Sequence, residues 1–96
     1  SRKKDLEDNI SRQMDMKRAE IRSLTSLLES DTDLIGLRKR ITASAESKYE
    51  NGTITATELL SEMNSERQAL LNHEIHKISL ALAKAEYMNI SGKEIE

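Results

Sequence analysis

Between residues 3 and 50 the apolar side chains recur at steps of three, four and seven. Leu6, Ile10, Met14, Ile21, Leu24, Leu28 and Ile35 form one series, and Leu27, Leu34, Leu37, Ile41, Ala45 and Tyr49 a second. That period lines up side chains on one face of an α-helix and is incompatible with the alternation of a strand. A second run at the same period, from about residue 56 to 91, carries Leu59, Leu60, Met63, Leu70, Leu71, Ile75, Ile78, Leu82, Ala85 and Met88. No proline interrupts either run, so nothing in the sequence removes a helical hydrogen bond or forces a kink. The expected fold is all-α: an antiparallel two-helix coiled-coil hairpin of long helices, at residues 3–50 and 56–91, with a turn at 51–55.

The two series in the first helix overlap, and together they make a stripe wider than a two-stranded seam requires. Only two tyrosines supply aromatic area in a chain that is 36% hydrophobic and 33% charged, so burial must come from Leu, Ile, Met and Ala. Fifteen basic and 17 acidic residues are spread along the whole length. This distribution argues against a nucleic-acid partner, which needs basic residues gathered on one face. Without cysteine there is no disulfide and no thiolate metal site. No apolar run reaches the ~20 residues that span a bilayer, so this segment is expected to make no direct membrane contact. The opening Ser1-Arg2-Lys3-Lys4 reads as the start of a piece cut from a longer protein.

Two places could break the first helix. Ser30-Asp31-Thr32-Asp33 offers a side-chain cap, and Gly36 costs about 1 kcal/mol against Ala in a helix interior. Because the apolar spacing continues from Leu27 to Leu34, one continuous helix is expected. If the chain reverses near residues 52 to 55, positions whose numbers add to 108 or 109 face each other. That register pairs Tyr49 with Leu59 and Leu60, Ala45 with Met63, Leu34 with Ile75, Leu27 with Leu82, Leu24 with Ala85 and Ile21 with Met88. The expected hairpin core is Leu24, Leu27, Leu34, Ile41, Tyr49, Leu59, Met63, Ile75 and Leu82. Residues 1–16 then project past the return helix and need an outside partner.

The corner Tyr49-Glu-Asn-Gly-Thr-Ile-Thr-Ala-Thr-Glu-Leu-Leu60 contains Asn-Gly, a hairpin signal between strands, but its flanks are helical. It reads instead as a stop and a start. Gly52 can close the first helix in the left-handed conformation without a Cβ penalty. Thr55 caps the second helix, with Glu58 three residues on as its capping-box partner and Ile54 with Leu59 as the hydrophobic staple. Ser91-Gly92 is expected to stop the second helix in the same way. The Asn-x-Ser/Thr triplets at Asn9, Asn51 and Asn89 are expected at a fair rate by chance in a chain of this makeup.

Little in the sequence supports chemistry. His73 and His76 stand at i, i+3 near Glu66 and Glu74, yet a metal site needs three or four converging ligands, so both read as surface histidines. Arg38-Lys39-Arg40 reads as a solvated helix face, since no aromatic or glycine-rich element accompanies it. No nucleophile with a base, phosphate loop or carboxylate pair is evident. Neither a catalytic residue nor a cofactor or metal is expected, and the chain is not expected to be an enzyme.

Tyr49-x-x-Gly52-x-x-Thr55-x-x-x-Leu59-Leu60, followed by an Ala- and Leu-rich helix ending Ala85-Glu86-Tyr87-Met88-x-x-x-Gly92, resembles the TolC-like outer-membrane efflux proteins over residues 34–92. The resemblance implies one hairpin of a hollow periplasmic α-barrel, trimeric in the full-length protein, that conducts exported drugs, metals or proteins. It makes Asn51, Gly52, Thr53, Ile54 and Thr55 the tip that docks on a periplasmic adaptor (membrane-fusion) protein. The ending at Tyr87 and Gly92 favours the second hairpin of a protomer. The chain lacks the family's β-barrel strands, its lipid-attachment cysteine and its other hairpin. As an isolated fragment it is expected to self-associate, for example as a dimer forming a four-helix bundle. The alternative is a generic antiparallel coiled-coil scaffold or dimerisation module.

Overall fold

A computed structural model describes residues 1–95. It contains two helices, α1 (Arg2–Glu50) and α2 (Ala56–Ile95), in an antiparallel hairpin. α1 runs unbroken for 49 residues. Two of the potential caps at residues 30–33, Asp31 and Thr32, are otherwise engaged. Thr32 Oγ1 donates back to the Leu28 carbonyl at 3.2 Å, as Thr25 does to Ile21 at 2.8 Å, and Asp31 turns to α2. A Thr hydroxyl bonded to the preceding turn stays within the helix instead of capping a new one.

α2 continues to Ile95, so Ser91-Gly92 does not stop it. Gly52 is the only glycine with positive φ. Among the described residues Gly92 is therefore an ordinary helical residue. A helical glycine costs about 1 kcal/mol, which one further turn of backbone bonding can absorb, and Lys93 complements the negative end of the dipole.

The chain divides into two compact units. The corner half is Leu28–Ile75, and the terminal half joins Ser1–Leu27 to the α2 residues from His76 onward. In the corner half Asp31 meets His73 and Thr42 meets Glu62, both pairs of numbers adding to 104. In the terminal half Arg18 meets Tyr87 and Lys17 meets Glu86, within one of the same value. The expected register of 108 or 109 is thus wrong by four or five residues. The turn is centred nearer residue 52 than 54, because α1 ends at Glu50 and α2 begins directly after the Thr55 cap.

The inward-facing positions differ from the expected ones as well. The less exposed positions of α1 run Ile10, Met14, Lys17, Ile21, Leu24, Leu28, Asp31, Ile35, Arg38, Thr42 and Ala45, alternating steps of four and three. On α2 the matching series is Leu59, Glu62, Glu66, Ala69, His73, His76, Leu80, Ala83, Tyr87 and Ile90. Of the expected core, Leu24, Ile41 and Leu59 are half-buried, whereas Leu27, Leu34, Tyr49, Met63, Ile75 and Leu82 are exposed.

Candidate functional site

The corner is built as its residues dictate. Gly52 has φ +75°, and its N–H donates to the Tyr49 carbonyl at 3.0 Å while Thr53 N–H donates to the Lys48 carbonyl at 2.9 Å. These are the two bonds of a Schellman motif, with Gly52 as the left-handed residue past the cap. Thr53 Oγ1 donates to the same Lys48 carbonyl at 2.9 Å, so one orphan acceptor at the end of α1 is satisfied twice.

Three residues on, Glu58 N–H donates to Thr55 Oγ1 at 3.1 Å and Leu59 N–H to the Thr55 carbonyl at 3.1 Å, which makes Thr55 the N-cap of α2. Ile54 and Leu59 are both half-buried, as a staple requires. Asn51, Gly52, Thr53 and Thr55 are exposed. A Cβ at Gly52 would meet nothing within 4 Å, so only its backbone conformation restricts that position.

The seam of the corner half is unusually polar. Asp31 is 8% exposed, and His73 Nδ1 donates to its Oδ2 at 3.1 Å. Arg38 pairs with the Glu62 carboxylate at 3.5 Å, and Thr42 Oγ1 donates to the Glu62 backbone carbonyl at 3.4 Å. A buried carboxylate left without a partner costs several kcal/mol, so the Asp31–His73 contact offsets a large penalty more than it adds stability. The reading of His73 and His76 as surface residues is corrected: both are half-buried. Arg38 likewise turns into the seam, while Lys39 and Arg40 are exposed. Among the described residues no three His, Asp or Glu side chains converge as metal ligands.

In the terminal half the seam is mainly apolar and tight. Ala83 is 1% exposed, with Met14, Ile21, Leu24, Leu80 and Ile90 buried or half-buried along the same series. Lys17 pairs with Glu86 and, at 2.9 Å, with Glu20. These contacts, Glu86 first, raise its ammonium pKa above the ordinary 10.5. Arg18 donates to the Tyr87 hydroxyl at 3.1 Å and pairs with Asp15.

What the seam omits, the outside carries. In the corner half Leu34 and Leu37 on α1, and Leu60, Met63, Leu70, Leu71 and Ile75 on α2, are all exposed. Two open grooves show on which side each series lies. One is bordered by Ile41, Ser44, Lys48, Glu58 and Ser61, the other by Thr42, Glu46, Met63, Arg67 and Leu70. Sequence reading missed the polar seam because it followed apolar residues only. The signal was present in the unbroken four-three alternation that passes through Lys17, Asp31 and Arg38.

No family model, curated protein or solved structure matches this chain. No helix among the described residues is long and apolar enough to cross a membrane.

Proposed function

We propose that this chain is a structural and docking segment of the periplasmic α-barrel of a TolC-like outer-membrane efflux channel, with residues 49–60 as its adaptor-facing tip. The observation that carries the reading is the mixed seam and apolar exterior of the corner half. Its seam sets Asp31, Arg38, Thr42, Glu62 and His73 among Leu28, Ile35, Ala45, Leu59 and Ala69, while Leu34, Leu37, Leu60, Met63, Leu70 and Ile75 lie outside. A helix with apolar residues on several sides is one that has several neighbours. In a barrel wall each hairpin has a neighbour on either flank. The corner adds a second support, since it is closed by its own caps and leaves Asn51, Thr53 and Thr55 outward, where an adaptor could meet them.

The test uses the full-length protein. A β-branched residue at φ +75° is strained, so Gly52→Val disturbs the tip without touching a neighbour. Adaptor-dependent export is expected to fall at least tenfold while channel trimers still assemble. Normal export by that variant would remove the docking role. Cross-linking from Thr53→Cys to candidate adaptors then identifies the partner.

A further inference from the structure

The geometry points to Asn51 as a site of spontaneous chemical modification, at which the side-chain amide is displaced by the backbone nitrogen of Gly52 and the closed corner holds the reaction back. The inference goes beyond the channel reading and does not depend on it, because it rests on the Asn51-Gly52 linkage and the hydrogen bonds around it.

An asparagine loses its amide when the backbone nitrogen of the next residue attacks its side-chain carbonyl carbon. Here a bond forms between Gly52 N and Asn51 Cγ and the Cγ–Nδ2 bond breaks. The amide group departs as ammonia, taking the proton that the Gly52 nitrogen gives up. Water then opens the five-membered imide left in the main chain. Opening at one carbonyl gives aspartate, and at the other isoaspartate, whose main chain runs through the former side-chain carbon. Water is the only co-reactant. A side chain on the following residue obstructs the attack, and glycine has none. Of the five asparagines only Asn51 precedes a glycine. Asn9, Asn64, Asn72 and Asn89 precede Ile10, Ser65, His73 and Ile90, and all four lie inside α1 or α2. Asn51 and Gly52 lie between the helices in sequence and are exposed, so water and base reach them.

The folded corner opposes the reaction. Asn51 N–H donates to the Ser47 carbonyl at 3.1 Å, Gly52 N–H to the Tyr49 carbonyl at 3.0 Å and Thr53 N–H to the Lys48 carbonyl at 2.9 Å. The attacking nitrogen is thus the middle one of three bonded in succession to the last turn of α1. To reach Asn51 Cγ it must release Tyr49, and the peptide plane it belongs to must turn. The reaction therefore runs from an opened corner, at the rate of the unfolded chain multiplied by the fraction of time the corner is open. The product does not close as before. Its new carboxylate stands beside Glu50 at the negative end of the α1 dipole. In isoaspartate the added main-chain carbon also spoils the spacing by which Gly52 and Thr53 reach the Tyr49 and Lys48 carbonyls. Ammonia lost to solvent does not return, so the change runs one way, from a closed corner to a loose one.

The test follows the 96-residue chain in mildly alkaline buffer, with and without denaturing urea, by peptide mass spectrometry of each asparagine. In urea Asn51 is expected to react roughly tenfold faster than any other asparagine, because only its neighbour lacks a Cβ. In buffer its loss should slow by roughly tenfold or more, since only the open fraction reacts. Thr53→Val keeps the shape of the side chain and removes its bond to the Lys48 carbonyl. That variant should react about threefold faster than the parent in buffer, the shift in opening that one lost hydrogen bond brings, and at the parent's rate in urea. Circular dichroism checks that its helices persist, and the parent's comparison of buffer with urea stands without any variant. An Asn51 that outlasts the other asparagines in urea overturns the site. Equal parent rates with and without urea, or a helical Thr53→Val variant no faster than the parent in buffer, overturn its gating by the corner.

Discussion

The two halves of the hairpin share one register and solve opposite problems with it. The terminal half buries Met14, Ile21, Leu24, Leu80 and Ala83 between its helices, with polar contacts such as Lys17 to Glu86 beside them. The corner half puts Asp31, Arg38, Thr42, Glu62 and His73 between its helices and keeps Leu34, Leu60 and Leu70 outside. The first arrangement stabilises a hairpin alone. The second sets Leu28, Ile35, Ala45, Leu59 and Ala69 among its polar groups and leaves further hydrophobic gain to whatever covers the flanks. Helix pairing and helix surface are thus set separately along the same two segments.

The strongest way to break this comparison is a charge in the apolar seam. Ala83→Asp buries a carboxylate with no partner, and a loss of about 3–5 kcal/mol is expected, enough to leave no cooperative urea transition by circular dichroism. A near-normal transition would mean that the terminal half does not depend on a dry seam. Truncating Leu24 to Ala in the same half should cost about 2 kcal/mol, less than a fully buried leucine because Leu24 is only half-buried.

In the corner half the matching change should be milder and partly reversible. Asp31→Ala removes one member of the buried pair and should cost about 1–2 kcal/mol. Replacing both Asp31 and His73 by Leu should be neutral or stabilising, since an apolar pair can stand in for a buried polar one. If the double variant is as unstable as the single one, the pair does more than offset its own burial. Gly36→Ala sharpens the picture at smaller magnitude. Nothing lies within 4 Å of the added Cβ, so a gain of about 0.5–1 kcal/mol is expected in thermal melts.

The smallest effect lies at alkaline pH. The Lys17 pKa is raised in the folded chain by Glu86 and then Glu20. Its contribution is therefore fully present below 10.5 and lost as pH rises through the higher folded value. Because the Lys17–Glu86 pair is partly open to solvent, the melting temperature should fall only slightly more in the parent than in Glu86→Gln, and salt should weaken the difference.

The helices and the corner were legible in the sequence because their causes are local. Gly52, Thr55, Glu58 and the period of the apolar residues each act within a few positions. The register was not legible in the same way. Apolar residues occur on several faces of both helices, so pairing the largest of them gave a plausible but incorrect alignment through Leu27, Leu34, Ile75 and Leu82. What decides the alignment is where the corner stops and restarts the helix. A count outward from Gly52 through the polar members of the series would have found Asp31 opposite His73. Ser91-Gly92 misled for the opposite reason, since a local stop signal at an open position has no turn to support it.

The closed corner and the steady four-three alternation make the length of the arms an adjustable quantity. Seven residues added to each helix at equal distance from Gly52 would return every side chain to its former face and keep opposite residues opposite. A single insertion in one arm would displace the whole series beyond it. Lineages that lengthen or shorten such a hairpin should therefore do so by paired heptads, with the Tyr49 to Leu60 segment unchanged in span.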